Sequence, residues 1–468
     1  MKENTKAMKT PLRPLILFSC IWLMFACKDN IVTQAPDITE TLPASTQRSG
    51  DAAKGYQYLI YGDYVDGGIP YDLYVAARRD DRNFLNRTGD NAIIGHVGTA
   101  ITTGGVRVVG ANCLACHAES INGQFIIGLG NNTQDYTQDQ TNYFTLVDGY
   151  IKNKWGEKSP QYDAYFPFKR GFSVLNTTTL PKVQGVNVAD RYAAILAAHR
   201  NPKDLTWIDK DQLGIPAEVV PTDVPAWWLL KKKNTMFFTA AGTGDFARIM
   251  MTSGLVSLKD STRARQIDNN FPDVLAYIKS LPSPKYKGTI DQTKALAGKT
   301  VFESNCSKCH GNYGTNTDYP NLWVAIESIG TDAALLNANF SYSQFIDWYN
   351  GSWFAQGKFG AKLNPKKGYV APPLDGVWAT APYLHNGSVP TLEDLLNSGQ
   401  RPKYWKRSFD NSDYDNVKIG WKYSSEKSKT DNQTYDTSLN GYGNQGHIYG
   451  DKLSASDRSN LIEYLKQL

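Results

Sequence analysis

Four cysteines carry the chemistry most legible in this chain. Cys113 and Cys116 are followed at once by His117, and Cys306 and Cys309 are followed at once by His310. Two thiols three positions apart lie on one helical turn, where both can form thioethers to the vinyl groups of one haem, and the next residue then sets its imidazole against the iron. This is a c-type haem attachment sequence, present twice. A four-cysteine zinc site wants its knuckles about 15–20 residues apart, whereas these pairs are 193 positions apart, and zinc does not account for a histidine after both. A redox CxxC pair explains one motif at most. The reading is therefore of two covalently bound c-type haems.

The two remaining cysteines, Cys20 and Cys27, belong to a leader. Lys2, Lys6, Lys9 and Arg13 precede an apolar run over 15–25 that is too short to span a bilayer and ends in Met24-Phe25-Ala26-Cys27. It reads as a lipoprotein-type signal peptide over 1–26, with Cys27 the lipidated residue of an exported chain, and haem attachment outside the cytoplasm agrees with that. Removing 1–26 takes four basic residues and one acidic residue, so the formal charge falls from +5 to +2. No nucleic-acid partner is expected after that subtraction. The expected location is the periplasm or cell surface, with the chain held to a bacterial membrane through lipid at Cys27.

The elements that must position the motifs follow from length and repetition. At 468 residues, 41% hydrophobic and 20% charged, the chain is globular and long enough for two or three domains, which excludes a disordered, collagen-like or polytopic membrane protein. Leu275-Ala276-Tyr277-Ile278-Lys279-Ser280-Leu281 and the final Ile462-Glu463-Tyr464-Leu465-Lys466-Gln467-Leu468 are 187 positions apart, close to the motif spacing. Their apolar residues at i, i+3 and i+6 predict helices with one buried face. Residues 295–305 predict a helix leading into the second motif, and Pro282-Ser283-Pro284 ends the first closing helix. The expected architecture is mainly α, with a tether over 27–50, a cytochrome c-type haem domain over 51–285 and a second over 286–468. Long polar segments such as 130–143 and 408–446 are expected to wrap them as irregular loops with little strand.

A second axial ligand decides what each haem does, because an iron held on both faces transfers electrons and one with a free face binds oxygen or peroxide. The other imidazoles are His96, His199, His385 and His447, and the thioethers are Met236, Met250 and Met251. His447, between Gly446 and Ile448 in a turn-rich loop, and His385, in a loop leading to a helix capped by Thr391, are both candidates for the second haem. The glycine beside His447 is expected to let backbone come close to a flat cofactor. With no obvious candidate near the first motif, the first haem is expected to be the open one. No side chain stands out as an acid–base catalyst. Trp323, Trp348, Trp353, Trp405 and Trp421 read as packing residues.

The run from Ala371-Pro372-Pro373-Leu374-Asp375-Gly376 through Ala381-Pro382-Tyr383-Leu384-His385-Asn386-Gly387-Ser388 resembles the signature of di-haem cytochrome c peroxidases and MauG-type enzymes. In detail it is most similar to the bacterial di-haem rubber oxygenase-like branch, as are Gly446-His447, Gly62-Asp63-Tyr64, Gly68-Ile69-Pro70-Tyr71 and Gly128-Leu129-Gly130-Asn131. The resemblance implies two cytochrome c domains, His310 and His447 on the C-terminal haem iron, and His117 as sole protein ligand of an oxygen- or peroxide-reactive N-terminal haem. It also implies Tyr383 between the haems as a catalytic-site residue, and His385 as a loop anchor or neighbour of the site in preference to an iron ligand. The chain is shorter than the rubber oxygenases, and no histidine follows closely after the first motif as it does in the peroxidases. Trp227-Trp228 and Phe237-Phe238 fall in the region where distal aromatic residues are expected.

The expected function is thus an exported di-haem c-type cytochrome oxidoreductase, peroxidase-like, whose C-terminal haem relays electrons. Its expected partners are a redox donor protein and a small oxidant, peroxide or oxygen. Tyr383, Trp378 and Trp227 or Trp228 are the aromatic candidates for the relay. Alternatives are an oxygenase cleaving an apolar polyisoprenoid-type substrate and a non-enzymatic di-haem electron carrier.

Overall fold

Two pairs of crossed helices frame the attachment motifs in the computed structural model, which describes residues 38–468 apart from 177, 217, 315 and 316. The expected signal peptide and Cys27 lie outside the described residues. Ala52–Tyr61 crosses Phe271–Ser280, and Gln292–Asn305 crosses Ala455–Leu465. Each leading helix starts at an aspartate that accepts two first-turn N–H groups, Asp51 from Ala53 and Lys54 and Asp291 from Thr293 and Lys294. These caps satisfy donors that lack an intrahelical partner.

A glycine sits at each crossing. A Cβ on Gly55 would lie 1.9 Å from the carbonyl oxygen of Asp273, and one on Gly298 would lie 1.9 Å from that of Asn460. Backbone therefore meets backbone, with no room for a side chain. Asp273 and Asn460 are 187 positions apart, the offset of the two closing segments, so the internal repeat is a repeat of helix crossings.

The halves differ in how the leading helix reaches its motif. Gln292–Asn305 runs straight into Cys306, whose N–H donates to the Phe302 carbonyl at 2.8 Å. Between Tyr61 and Cys113 an antiparallel sheet intervenes, with Val106–Ala111 between Ile69–Pro70 and Gly98–Thr103. A hairpin of Ala118–Ile121 and Gln124–Ile127 then folds the chain back onto the first motif. There the Gly128 N–H donates to the His117 carbonyl and the Asn131 N–H to the Cys116 carbonyl, both at 2.8 Å.

The boundary at 285/286 separates the helix pairs but not the sheets. Leu322–Ala325 pairs with Thr39–Thr41 on one side and Gly368–Val370 on the other, and Gly242–Gly244 pairs with Ala361–Leu363. Leu335, Leu336 and Trp348, from beyond the boundary, share a core with Leu59, Ile195 and Phe246. Phe302, Trp378, Tyr383 and Leu461 share another with Ile121, Leu129 and Trp228. The described part of the expected tether is docked as well. Leu42 is buried, and Arg48 bridges Asp245 at 2.9 Å and Asp268 at 2.6 Å. Polar composition there reflects charge-assisted pairing and not a free linker.

Fifteen short strands accompany the helices among the described residues, most of them two to four residues long, too short to print an alternating pattern. The polar 408–446 stretch is held by such ladders, Tyr404–Lys406 pairing with both Ser424–Ser425 and Thr434–Asp436. Arg407 is buried against the rings of Phe409 and Trp421, at 4.5 and 4.3 Å. Trp348, Trp353, Trp405 and Trp421 are buried packing residues.

Gly298→Ala is expected to lower the stability of the full-length holoprotein by about 1–3 kcal/mol, read as a lower denaturation midpoint at unchanged m-value. Gly149→Ala, on an exposed helix face where a Cβ meets nothing within 4 Å, is expected to raise stability by roughly 0.5–1 kcal/mol. Equal midpoints for the two variants would contradict the close crossing.

Candidate haem centres

At the second motif Cys306 ends the leading helix and Ser307–His310 continues as a further turn, the His310 N–H donating to the Cys306 carbonyl at 3.0 Å. This turn sets Cys306, Cys309 and His310 in the wall of one cavity of about 280 Å³. His310 Nδ1 lies 2.7 Å from the Pro372 carbonyl oxygen. The carbonyl can only accept, so Nδ1 carries the proton and Nε2 the free lone pair. His447 lines the same cavity, its ring centroid 6.2 Å from that of His310 with the planes at 61°. A metal–imidazole bond is about 2 Å and a ring nitrogen lies about 1.1 Å from its ring centre, so imidazoles on opposite faces of one metal stand roughly 6 Å apart. Desolvation lowers both imidazoles, His447 to about 3, which keeps them in the neutral, metal-binding form.

The loop that presents His447 is held tightly. Gly446 and His447 both have left-handed φ, 75° and 47°. A Cβ on Gly446 would lie 2.3 Å from the Gly330 backbone, so the expected close approach is to the chain's own backbone and not to a flat cofactor. The His447 N–H donates to the Ile329 carbonyl at 2.9 Å. Arg401 spends its guanidinium on the carbonyls of Gly446, at 2.7 Å, and His447, at 3.1 Å.

At the first motif Asn112 organises the turn. Its side-chain oxygen accepts from the Leu114 N–H, and its amide donates to the His96 carbonyl and the Thr99 hydroxyl, all at 3.0 Å. Cys116 Sγ lies 3.7 Å from both the Tyr136 hydroxyl and the Asn187 side-chain amide. Desolvation raises both thiols, Cys113 to about 12. His117 stacks on Trp227 with centroids 4.6 Å apart and planes at 23°. Desolvation lowers its imidazole to about 3, and its Nδ1 is buried with no hydrogen-bond partner among the described residues.

The other sequence candidates are engaged elsewhere. His96 packs edge-on against Phe84 and Phe125. His199 stacks on Trp207, with Nδ1 3.0 Å from the Ile208 carbonyl. Met251 is buried in the core, Met250 packs against it, and the Met236 backbone bridges to Gly242. His385 is buried with Nε2 3.2 Å from the Tyr369 hydroxyl and the two rings stacked at 4.3 Å. Because that hydroxyl donates to the Asp332 carbonyl at 2.7 Å, it accepts from His385. The expected loop anchor is thus a residue fastened to Tyr369. Tyr383 is buried in the cavity wall, its hydroxyl directed at the carbonyls of Val377, at 3.2 Å, and Ile419, at 3.3 Å. Burial pushes the Tyr383 phenol well above its usual range.

Several residues at these sites carry no sequence signal. Asn187, Tyr136, Asp223 and Lys233 reach them only through folding. Asp223 and Lys233 line the cavity, where burial pushes the carboxyl up to about 8 and the ammonium down to about 8. The Trp227-Trp228 doublet was visible in the sequence. Trp228 donates its indole N–H to the Asp375 carbonyl at 2.7 Å, and Lys232 Nζ lies 2.8 Å from both Asp375 carboxylate oxygens.

The second motif fits a c-type haem: two thiols, one oriented imidazole, a second imidazole at the right separation, and apolar walls from Phe302, Leu374, Leu396, Leu461 and Leu465. The first supplies the two thiols and one neutral imidazole with an orphaned Nδ1.

Comparison with known proteins agrees at a coarse level. Residues 368–406 match the model of the RoxA-like, cytochrome c-like family, a stretch that carries Pro372, Tyr383 and His385 but neither attachment motif. The chain is 28% identical to the uncharacterized protein y4iM of Sinorhizobium fredii (strain NBRC 101917 / NGR234) over 295 residues, 54% of this chain and 66% of that protein. It is 41% identical to the uncharacterized protein y4iJ of the same strain over 111 residues, 21% of this chain and 18% of that protein. The chain thus spans less than two thirds of the length of either relative. The matched segment is cytochrome c-like and RoxA-like, which implies c-type haem and the class of haem oxidoreductases.

Proposed function

We propose that the chain is an exported di-haem c-type cytochrome oxidoreductase. In this reading the N-terminal haem, on Cys113, Cys116 and His117, takes peroxide or oxygen. The C-terminal haem, on Cys306 and Cys309 with His310 and His447 as ligands, relays electrons as in a cytochrome c peroxidase. The observation that carries the reading is the inequality of the two motifs: His310 faces a second imidazole at 6.2 Å, whereas His117 packs on the Trp227 indole. When bound, haem supplies one-electron chemistry and, where one face is free, activation of oxygen or peroxide.

The chain's own residues support this division. By accepting the His310 Nδ1 proton, the Pro372 carbonyl fixes the ring and makes Nε2 a stronger donor. His447, neutral and held by Arg401, offers the second nitrogen of a closed site suited to electron transfer. Trp227 touches His117, and Trp228 donates to Asp375, three residues beyond Pro372. Aromatic and hydrogen-bonded groups therefore run from one motif to the other and form the electron route. Tyr383, its hydroxyl directed at the carbonyl oxygens of Val377 and Ile419, is part of the cavity wall. Lipid at Cys27 would hold this unit to a membrane within reach of a donor protein.

The RoxA-like match over 368–406 favours a second reading, an oxygenase acting on an apolar polyisoprenoid-type substrate, with oxygen as the oxidant.

The full-length holoprotein is expected to oxidise a reduced donor when given peroxide. Oxygen uptake dependent on an added isoprenoid would select the second reading, and two haems inert to peroxide, oxygen and carbon monoxide would make the protein an electron carrier. His447→Ala is expected to change the absorption spectrum of the C-terminal haem alone; an unaltered spectrum refutes its role as ligand. Trp227→Leu is expected to slow electron transfer between the haems by roughly an order of magnitude with both attachments intact. An unchanged rate would remove Trp227 from the route.

A further inference from the structure

Lys233 has no part in the reading above, yet it lines the same cavity as Cys306, Cys309, His310 and His447. Four charged side chains other than histidine stand in that wall: Asp223, Lys233, Lys308 and Asp375. Asp375 is neutralised by Lys232 at 2.8 Å, and Lys308 is exposed within the motif itself. Lys233 is partly buried and has no hydrogen bond, ion pair or ring contact with any described residue. Desolvation alone pulls its ammonium down to about 8. A cation withdrawn from water without a partner is costly, and such a group is retained where an anion comes to meet it.

The chemistry of the attached group supplies that anion. Thioethers at Cys306 and Cys309 take the vinyl edge of a porphyrin, and its two carboxylates leave from the opposite edge. Cys306 ends the helix that carries Phe302 and crosses Ala455–Leu465, and Cys309 lies in the turn that follows it. Lys233 lines the cavity from a different segment of the chain, one joined to the central strand Leu322–Ala325 by the Asn321 side-chain amide, which donates to the Lys232 carbonyl at 3.0 Å. Arg401, the other large cation near His447, is already committed to backbone carbonyls.

We propose that Lys233 binds a propionate of the haem attached at Cys306 and Cys309, its ammonium donating to one carboxylate. The proposal rests on the reading of that motif as a haem site and makes Lys233 a positioning residue that also sets charge beside the porphyrin. A positive charge there favours the reduced haem, so its removal lowers the potential.

The test is resonance Raman spectroscopy and spectroelectrochemistry of the full-length holoprotein. In Lys233→Met the propionate bending mode of the C-terminal haem is expected to shift and the midpoint potential of that haem to fall, with the N-terminal haem and both sets of axial-ligand bands unchanged. Lys233→Arg, which keeps the charge, is expected to restore the potential. Should Lys233→Met not assemble, Lys233→Gln carries the same expectation. A neutral variant bearing both haems with the bending mode and potential of the wild type overturns the proposal. A 306–309 peptide that carries no porphyrin in the mass spectrum overturns the haem reading itself and the proposal with it.

Discussion

The 2.7 Å hydrogen bond from His310 Nδ1 to the Pro372 carbonyl is the interaction on which the account of the site depends. It decides which nitrogen faces the cavity and so turns a histidine beside two cysteines into an oriented ligand. Its acceptor is held in place by its neighbours. Pro372 precedes Pro373, which disfavours helical backbone at Pro372, and the ring of each proline fixes its φ. The Asp375 carbonyl is held by Trp228, its carboxylate is held by Lys232, and the Gly376 N–H donates to the Leu468 carbonyl at 2.9 Å. The segment that orients His310 is therefore tied to the first half through Trp228 and to Leu468 through Gly376.

Interlocking of this kind matters for a molecule proposed to pass electrons between two centres. Independent domains on a linker would leave the separation of the motifs free. Here Leu322–Ala325 joins a strand from near residue 40 to one from near 369, and Trp378 donates its indole N–H to the Pro284 carbonyl at 2.8 Å. One core draws residues from both sides of the 285/286 boundary, and so does the other. The crossed helices, with Gly55 and Gly298 at their contacts, set each motif within this frame.

The sequence revealed what is local. Attachment motifs announce themselves because their chemistry needs fixed spacing, and the closing helices do so because a buried stripe repeats with the helical period. The glycines at the crossings could have been noticed as small residues one or two turns into each leading helix. The sheet between Tyr61 and Cys113 and the docking of Arg48 on Asp245 and Asp268 were not legible, because short ladders and ion pairs between distant segments leave no periodic trace. The same holds for Asn187 and Lys233, whose roles come from what the fold sets beside them, while Pro372 was visible in the signature run but not as the acceptor for His310. Read from residue type alone, His447 and His385 are both loop histidines, and only the family resemblance gave them different roles. The fold sets one across from His310 and fastens the other to Tyr369.

We propose that the two haem sites are unequal in axial ligation, one closed by two imidazoles and one held by His117 alone. Low-temperature electron paramagnetic resonance of the oxidised full-length holoprotein tests it most directly. The account predicts one high-spin and one low-spin ferric signal in equal amounts per chain. Two low-spin signals, or a single haem per chain, would contradict it.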